Sequence, residues 1–259
     1  MDLGIEGRTA LVCASSRGLG RACAEALAAE GVDVILSGRK AEALHGAVAA
    51  INARGRGKAS GVVCDVTSAE GRKALLDLCP APDILINNSA GPSPKLFADI
   101  GPEEWGPAVA SNMIAPLLLT QAVLPAMKER RFGRIINITS AMVTTPRPHM
   151  TLSSAPRAGL TAAMKAISLE VARYNVTINN MLPERIATDR QQFMAEQTAR
   201  REKISYDEAR RRQVESIAAG RLGVPAEFGA ACAFLCSAFA GFISGQNLHL
   251  DGGSYPALV

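Results

Sequence analysis

The chain has 259 residues, of which 48% are hydrophobic, 20% charged and 4% aromatic. That composition excludes a disordered chain, which is apolar-poor and charge-rich, and the length suits one large α/β domain. The formal charge of +4 is too mild for a nucleic-acid-binding surface but compatible with a patch for an anionic ligand.

Asp2 and Glu6 interrupt any apolar stretch at the start, so no leader peptide is expected. β-rich runs then alternate with helical stretches. Strands are expected at 9–13, 32–37, 59–64, 83–88, 134–139, 177–182 and 246–251. Helices are expected at 20–30, 41–54, 68–78, 102–128 and 153–174, with Ser68 as an N-cap and a kink at Pro116. Strand interiors such as DILIN and RIINI are apolar nearly throughout, as strands covered on both faces are. The alternation predicts a single doubly wound parallel sheet of about seven strands, of Rossmann type, over residues 1–259.

The polar stretch 189–215 has no strand of its own and carries Arg200–Arg201 and Arg210–Arg212. It reads either as a solvated helical face or as a lid-like insertion over a pocket, reaching residue 217. The longest apolar run, 228–243, is shorter than a bilayer span and reads as a buried helix, so no membrane partner is expected. The six cysteines lack CxxC spacing, and nothing suggests a metal site. A reduced, cytoplasmic setting is expected.

The motif that carries chemistry is TALVCASSRGLG at 9–20. An apolar strand runs into a loop with Gly18 and Gly20, and a helix begins there. Glycine lets backbone approach a pyrophosphate, and the helix N-terminus offers free N–H groups and a positive dipole end. Taken alone, the same run also suits a plain strand–helix turn.

Taken together, several motifs make the chain resemble the short-chain dehydrogenase/reductase superfamily, specifically its 3-oxoacyl-acyl-carrier-protein reductase-like group. They are Cys13–Gly20, CDV at Cys64–Val66, NNSAG at Asn87–Gly91, Asn112, Ser140 and LDGG at Leu250–Gly253. The resemblance implies a nicotinamide dinucleotide held by Ala14, Ser16, Arg17, Gly18, Leu19 and Gly20, with Asp65 and Val66 at the adenine. Asn88, Pro183 and Thr188 follow it toward the nicotinamide, although Thr188 also suits an N-cap. It implies catalytic positions at Asn112 and Ser140. It also implies a small carbonyl or alcohol substrate and a homodimer or homotetramer formed through 226–238 and the last strand.

The departures are specific. Ala14 stands where the family has its first glycine, Ala90 (or Ser89, depending on the alignment) interrupts the second turn, and Glu184 follows Pro183 where Pro-Gly is usual. The family's catalytic Tyr and Lys positions hold Ser153 and Arg157. A serine hydroxyl is a far weaker acid than a phenol, and a guanidinium does not give up its proton. Arg157 can still bond the ribose. His149 is the nearby histidine, read as a loop residue or as a substitute proton donor. No acid ends the second strand, whereas Arg39 follows it and Arg17 lies in the glycine loop. Two guanidiniums there suit a 2′-phosphate, so NADP(H) is expected over NAD(H), unless Arg39 and Lys40 form only a solvated turn. The motifs imply an NADP(H)-dependent oxidoreductase with a divergent site. The alternatives are a non-catalytic or regulatory nucleotide-binding protein and a structural subunit of an active relative.

Overall fold

A computed structural model describes residues 2–54 and 56–258. The strands are β1 (Thr9–Val12), β2 (Asp33–Gly38), β3 (Ala59–Val63), β4 (Ile84–Asn87), β5 (Gly133–Ile138), β6 (Val176–Pro183) and β7 (Asn247–Leu250). They form one parallel sheet in the order β3-β2-β1-β4-β5-β6-β7. The helices are α1 (Gly18–Ala29), α2 (Ala41–Asn52), α3 (Ala69–Leu78), α4 (Pro102–Val109), α5 (Ala115–Glu129), α6 (Thr151–Val171), α7 (Asp189–Glu202), α8 (Tyr206–Glu215) and α9 (Pro225–Cys236). Ser68 caps α3 as expected, accepting from the Gly71 N–H.

Because side chains alternate along a strand, each sheet face feeds a separate core. Ile84, Ile86, Ile136 and Ile138 pack with Leu27 of α1, Leu44 of α2 and Phe228 of α9. Leu85, Ile135 and Ile178 pack on the other face with Leu119 and Val123 of α5 and Leu160 and Met164 of α6.

On that second face a line of asparagines crosses four strands. Asn87 Nδ2 donates to Asn137 Oδ1, Asn137 Nδ2 to Asn180 Oδ1, and Asn180 Nδ2 to Asn247 Oδ1, each at 2.9 Å. These residues are also directly opposed in the sheet register. Asn87 Nδ2 also donates to Thr120 Oγ1 of α5, at 3.2 Å.

Two expectations meet detail that the sequence did not show. Pro116 stands within a continuous helix. It has no N–H to donate, and the chain widens just before it into one π turn, Ala110–Ile114, closed by the Ala115 N–H on the Ala110 carbonyl. The resulting helix, Pro102–Glu129, is by length and composition apolar enough to cross a membrane, but Leu119, Val123 and Met127 pack in the core. The second expectation concerns 228–243. Helix α9 ends at Cys236, and Ser237 turns extended as the Ala238 N–H bonds the Leu3 carbonyl. Phe239 and Phe242 beyond it are exposed.

The polar stretch forms α7 and α8, which pack on each other through Ala195, Ala209 and Gln213. Three of its arginines face its own acids: Arg211 pairs with Glu208 and Glu215, Arg212 with Glu208 and Glu202, and Arg201 with Glu202.

Asn137→Ala should be costly, because it leaves the Asn180 Oδ1 buried without a donor and removes packing from a fully buried position. A loss of about 2–5 kcal/mol is expected in urea unfolding, from one unpaired buried group plus a cavity.

Candidate active site

The site lies where β1, β4, β5 and β6 end together, at the point where the strand order reverses. Past β1 the chain is stitched to its neighbours. The Ala14 N–H donates to Ser37 Oγ, the Ser15 N–H to the Ser37 carbonyl, and Asn88 Nδ2 to the Ala14 carbonyl at 3.1 Å. Ala14 has φ +46°, in the left-handed region that costs an alanine about 1–2 kcal/mol. The fold therefore holds Ala14 in a conformation that a glycine would suit better. At Gly20, a Cβ would lie 2.7 Å from both the Ala14 carbonyl and Asn88 Nδ2. Glycine here lets α1 start against the loop. Leu19 packs on the core below.

At the β2 end, Ser16 sits against Gly38, where an added Cβ would come within 3.1 Å of the serine. Arg39 follows, exposed, with its Nη1 4.0 Å from Asp65 Oδ2. The Asp65 carboxyl is held below its ordinary value by bonds from the Thr67 N–H and hydroxyl, with a smaller effect from Arg39. Val66 packs on the second core. Arg17, also exposed, reaches across to Asp189 of α7 at 3.5 Å.

Asn112 is buried in the π turn. Its Nδ2 donates to the Ala108 carbonyl and Ser111 Oγ, and its Oδ1 accepts from Ser89 Oγ at 3.1 Å. It thus ties the loop after β4 to the long helix. Ser140 is extended after β5, and its hydroxyl accepts the Met142 N–H. Pro183 ends β6 opposite Leu250. Thr188 occupies the N-cap position of α7, but its hydroxyl donates to the Ile186 carbonyl and does not cap. Glu184, at the family's glycine position, pairs with Arg147 at 3.0 Å.

Ser153 and Arg157 lie one turn apart on α6, both buried. The Ser153 hydroxyl has no hydrogen-bond partner among the described residues. Arg157 turns inward: its Nη1 donates to the Ile138 and Thr139 carbonyls, each at 2.8 Å. Its Nε is buried without a partner. Burial, and then the nearby Arg190 charge, push the guanidinium down to about 10, so it stays charged at neutral pH. His149 sits in the loop before α6 at φ +69°, its carbonyl accepting from the Lys95 N–H.

Arg190 is the site residue that sequence reasoning missed. It lies in the first turn of α7 and donates from Nη2 to the Pro92 carbonyl at 2.7 Å, bridging the cleft. A cation at a helix N-terminus opposes the helix dipole, and that was the available signal.

Residues 13–255 match the family described as Enoyl-(Acyl carrier protein) reductase. The 3-oxoacyl-[acyl-carrier-protein] reductase FabG of Vibrio harveyi is 34% identical over 257 residues, covering 98% of this chain and 99% of that protein. The chain belongs to the short-chain dehydrogenase/reductase superfamily. Within it, the chain is an oxidoreductase of the 3-oxoacyl-acyl-carrier-protein reductase-like kind. The L-sorbose reductase of Gluconobacter frateurii, solved with NADPH and L-sorbose, superposes with a TM-score of 0.93 at 26% identity over 100% of both chains. A 7α-hydroxysteroid dehydrogenase solved with NADH superposes at 0.86 and 28% identity, over 100% of this chain and 98% of that one. These neighbours hold different nicotinamide cofactors, so this chain's preference has to be argued from its own residues.

Gly20→Ala should displace the Ala14 carbonyl or the Asn88 amide, since its Cβ would overlap both. A stability loss of about 1–3 kcal/mol is expected in thermal unfolding, with weakened dinucleotide binding.

Proposed function

We propose that this chain is an NADP(H)-dependent oxidoreductase of small carbonyl or alcohol compounds whose active site departs from the superfamily's at two positions. The observation that carries the cofactor reading is the end of β2. Ser16, Gly38 and Arg39 form a small polar shelf there, and no carboxylate ends the strand to accept from a ribose hydroxyl. Arg39 is exposed, and its distant contact with Asp65 is worth little in water, so a 2′-phosphate can displace it. The glycine loop and the α1 N-terminus are shaped for the pyrophosphate. Bound there, the dinucleotide supplies or accepts a hydride.

Arg17 serves a different purpose in this reading. Its exposed pair with Asp189 spans from the glycine loop to α7. With Arg190 on the Pro92 carbonyl, it straps the α7–α8 unit over the cleft, the lid role for 189–217. Opening it breaks an exposed ion pair and the hydrogen bond to the Pro92 carbonyl.

Ser140 presents its hydroxyl beside the hydride end, and Asn112 anchors the loop that faces it. Ser153 does not supply the proton, because its hydroxyl is too weak an acid at neutral pH. Water reaching the site, or His149, is the donor in this reading. Assembly as a homodimer or homotetramer is supported by exposed apolar side chains at Phe234, Phe239, Phe242 and Leu248, on α9, just past it and on the edge strand. A reducing, cytoplasmic setting agrees with six free cysteines, most of them buried.

Fluorescence titration should show tighter binding of NADPH than NADH. Arg39→Ala should cost about 1.5–3 kcal/mol toward NADPH and little toward NADH. Equal losses would remove the cofactor argument.

Turnover of ordinary carbonyl substrates should be slow. Ser153→Tyr combined with Arg157→Lys should raise carbonyl reduction by about 10²–10⁴-fold, the usual gain from a positioned acid. Ser153→Tyr alone should gain less, since a guanidinium differs from an ammonium in shape and hydration. Fast native turnover that Ser153→Ala abolishes would refute this reading of the serine.

A further inference from the structure

Two guanidiniums meet over one glycine. A Cβ built on Gly91 would lie 3.6 Å from Arg190 Nη2 and 3.7 Å from Arg157 Nη2. Gly91 has an ordinary φ, and apart from its chain neighbours no other residue comes nearer that point. Both terminal nitrogens therefore border the face of this glycine, close enough to touch a methyl placed there.

Neither cation has a counter-ion. Among the described residues no carboxylate pairs with Arg157 or Arg190, and the adjacent acid, Asp189, is turned to Arg17. Arg157 is only 7% exposed, and its Nε lacks any partner. Its Nη1 is held in place by two carbonyls, which fixes the direction of Nη2. Arg190 is held by the Pro92 carbonyl and lies over the Phe193 ring at 5.3 Å. Like charges brought together out of water repel strongly, and Arg190 also opposes its own helix dipole. Stability does not account for this arrangement, whereas a bound oxyanion accounts for all of it. Guanidiniums offer planar, paired donors that match carboxylate and phosphate oxygens.

The position separates this point from the cofactor's own phosphates. Those belong at the α1 N-terminus beyond β1 and at the β2 end. Arg157 instead hangs on the carbonyls at the end of β5, two strands from β1, which is roughly 10 Å across the sheet. That is the hydride-transfer end of the crevice.

We infer that Arg157 and Arg190 form an oxyanion-binding subsite over Gly91, which takes the carboxylate or phosphate group of an anionic carbonyl substrate. The inference rests on the reductase reading for the word substrate, and on geometry alone for the oxyanion. It also gives Arg157 a task other than tuning a proton donor.

The test is calorimetric titration of malonate and, separately, inorganic phosphate into protein saturated with NADP+, at constant ionic strength. NADP+ binding is measured first on the same samples. At least one of the two anions should bind with one-to-one stoichiometry, and which one does tells carboxylate from phosphate. Arg190→Gln should weaken it about 10-fold or more, the loss of one charge-assisted contact, and Arg190→Lys should weaken it less. Gly91→Ala is the sharper variant. Its methyl makes only ordinary contacts in this structure, so the fold is kept, yet it lies against both terminal nitrogens and crowds an anion held between them, so binding should weaken sharply. Arg200→Gln, on the exposed face of α7, should leave binding unchanged. Three results overturn the inference: neither anion binds, the anion binds equally to wild type, Arg190→Gln and Gly91→Ala, or NADP+ displaces it competitively. If NADP+ does not bind at all, the cofactor reading fails, and the same titrations on unloaded protein still decide the subsite.

Discussion

How far each strand protrudes into the crevice is set by its register, and four registers are locked by one row of side-chain amides. Asn87, Asn137, Asn180 and Asn247 lie abreast, each donating to the next. Asn88 follows the first directly, Ser140 lies three residues past the second, and Pro183 three past the third. A slip of one residue would turn every side chain of a strand to the opposite face. It would also leave buried amides without partners, at about 1–3 kcal/mol for each group. Each amide bond adds only about 0.5–1.5 kcal/mol net when made, so the row contributes more to uniqueness of the register than to stability.

With the strand ends fixed, the site differs along its length mainly in how its cations are compensated. Arg39 and Arg17 are exposed and face carboxylates at 4.0 and 3.5 Å. Such pairs are worth about 0–1 kcal/mol and are screened by salt, so they yield easily to an incoming phosphate. Arg157 is buried, tied to carbonyls and without a carboxylate. A charge in that position has already lost most of its water, and an anion arriving there regains much of the interaction that burial removed. On the proposed reading, the exposed cations act in capture of the ligand, and the buried pair in its placement.

The fold was legible because the physics that makes it is local. Doubly covered strands are apolar along their whole length, and crossover helices repeat between them. What was not legible depended on contacts between distant segments. The asparagines stand openly in ILIN, INI and INN, but their alignment exists only once the strands are paired. Arg17 and Arg39 look alike in sequence, and only the placement of α7 gives Arg17 its own carboxylate. The end of α9 at Cys236 depends on Leu3, more than two hundred residues away, which takes the next free N–H. The basic runs at 200–201 and 210–212 stand out in the sequence. In the fold, Arg211 and Arg212 pair with Glu208 and Glu215 at helical spacing, and Arg212 also reaches Glu202 of α7. The anion-seeking charge is instead Arg190, which composition hides among its neighbours.

The replacements at 153 and 157 are best understood as one change. In the superfamily's pattern a lysine lowers the pKa of a phenol, which requires a compact cation free to sit beside the oxygen. A guanidinium at 157 is larger, and here its Nη1 is committed to the Ile138 and Thr139 carbonyls. That commitment turns the group toward β5 and Gly91, so a phenol at 153 would gain little from it. With no tuned partner, a phenol near its ordinary value would donate poorly at neutral pH. On the proposed reading, Ser153 and Arg157 belong together, because a cation committed to holding a charge on the ligand is not placed to adjust a proton donor.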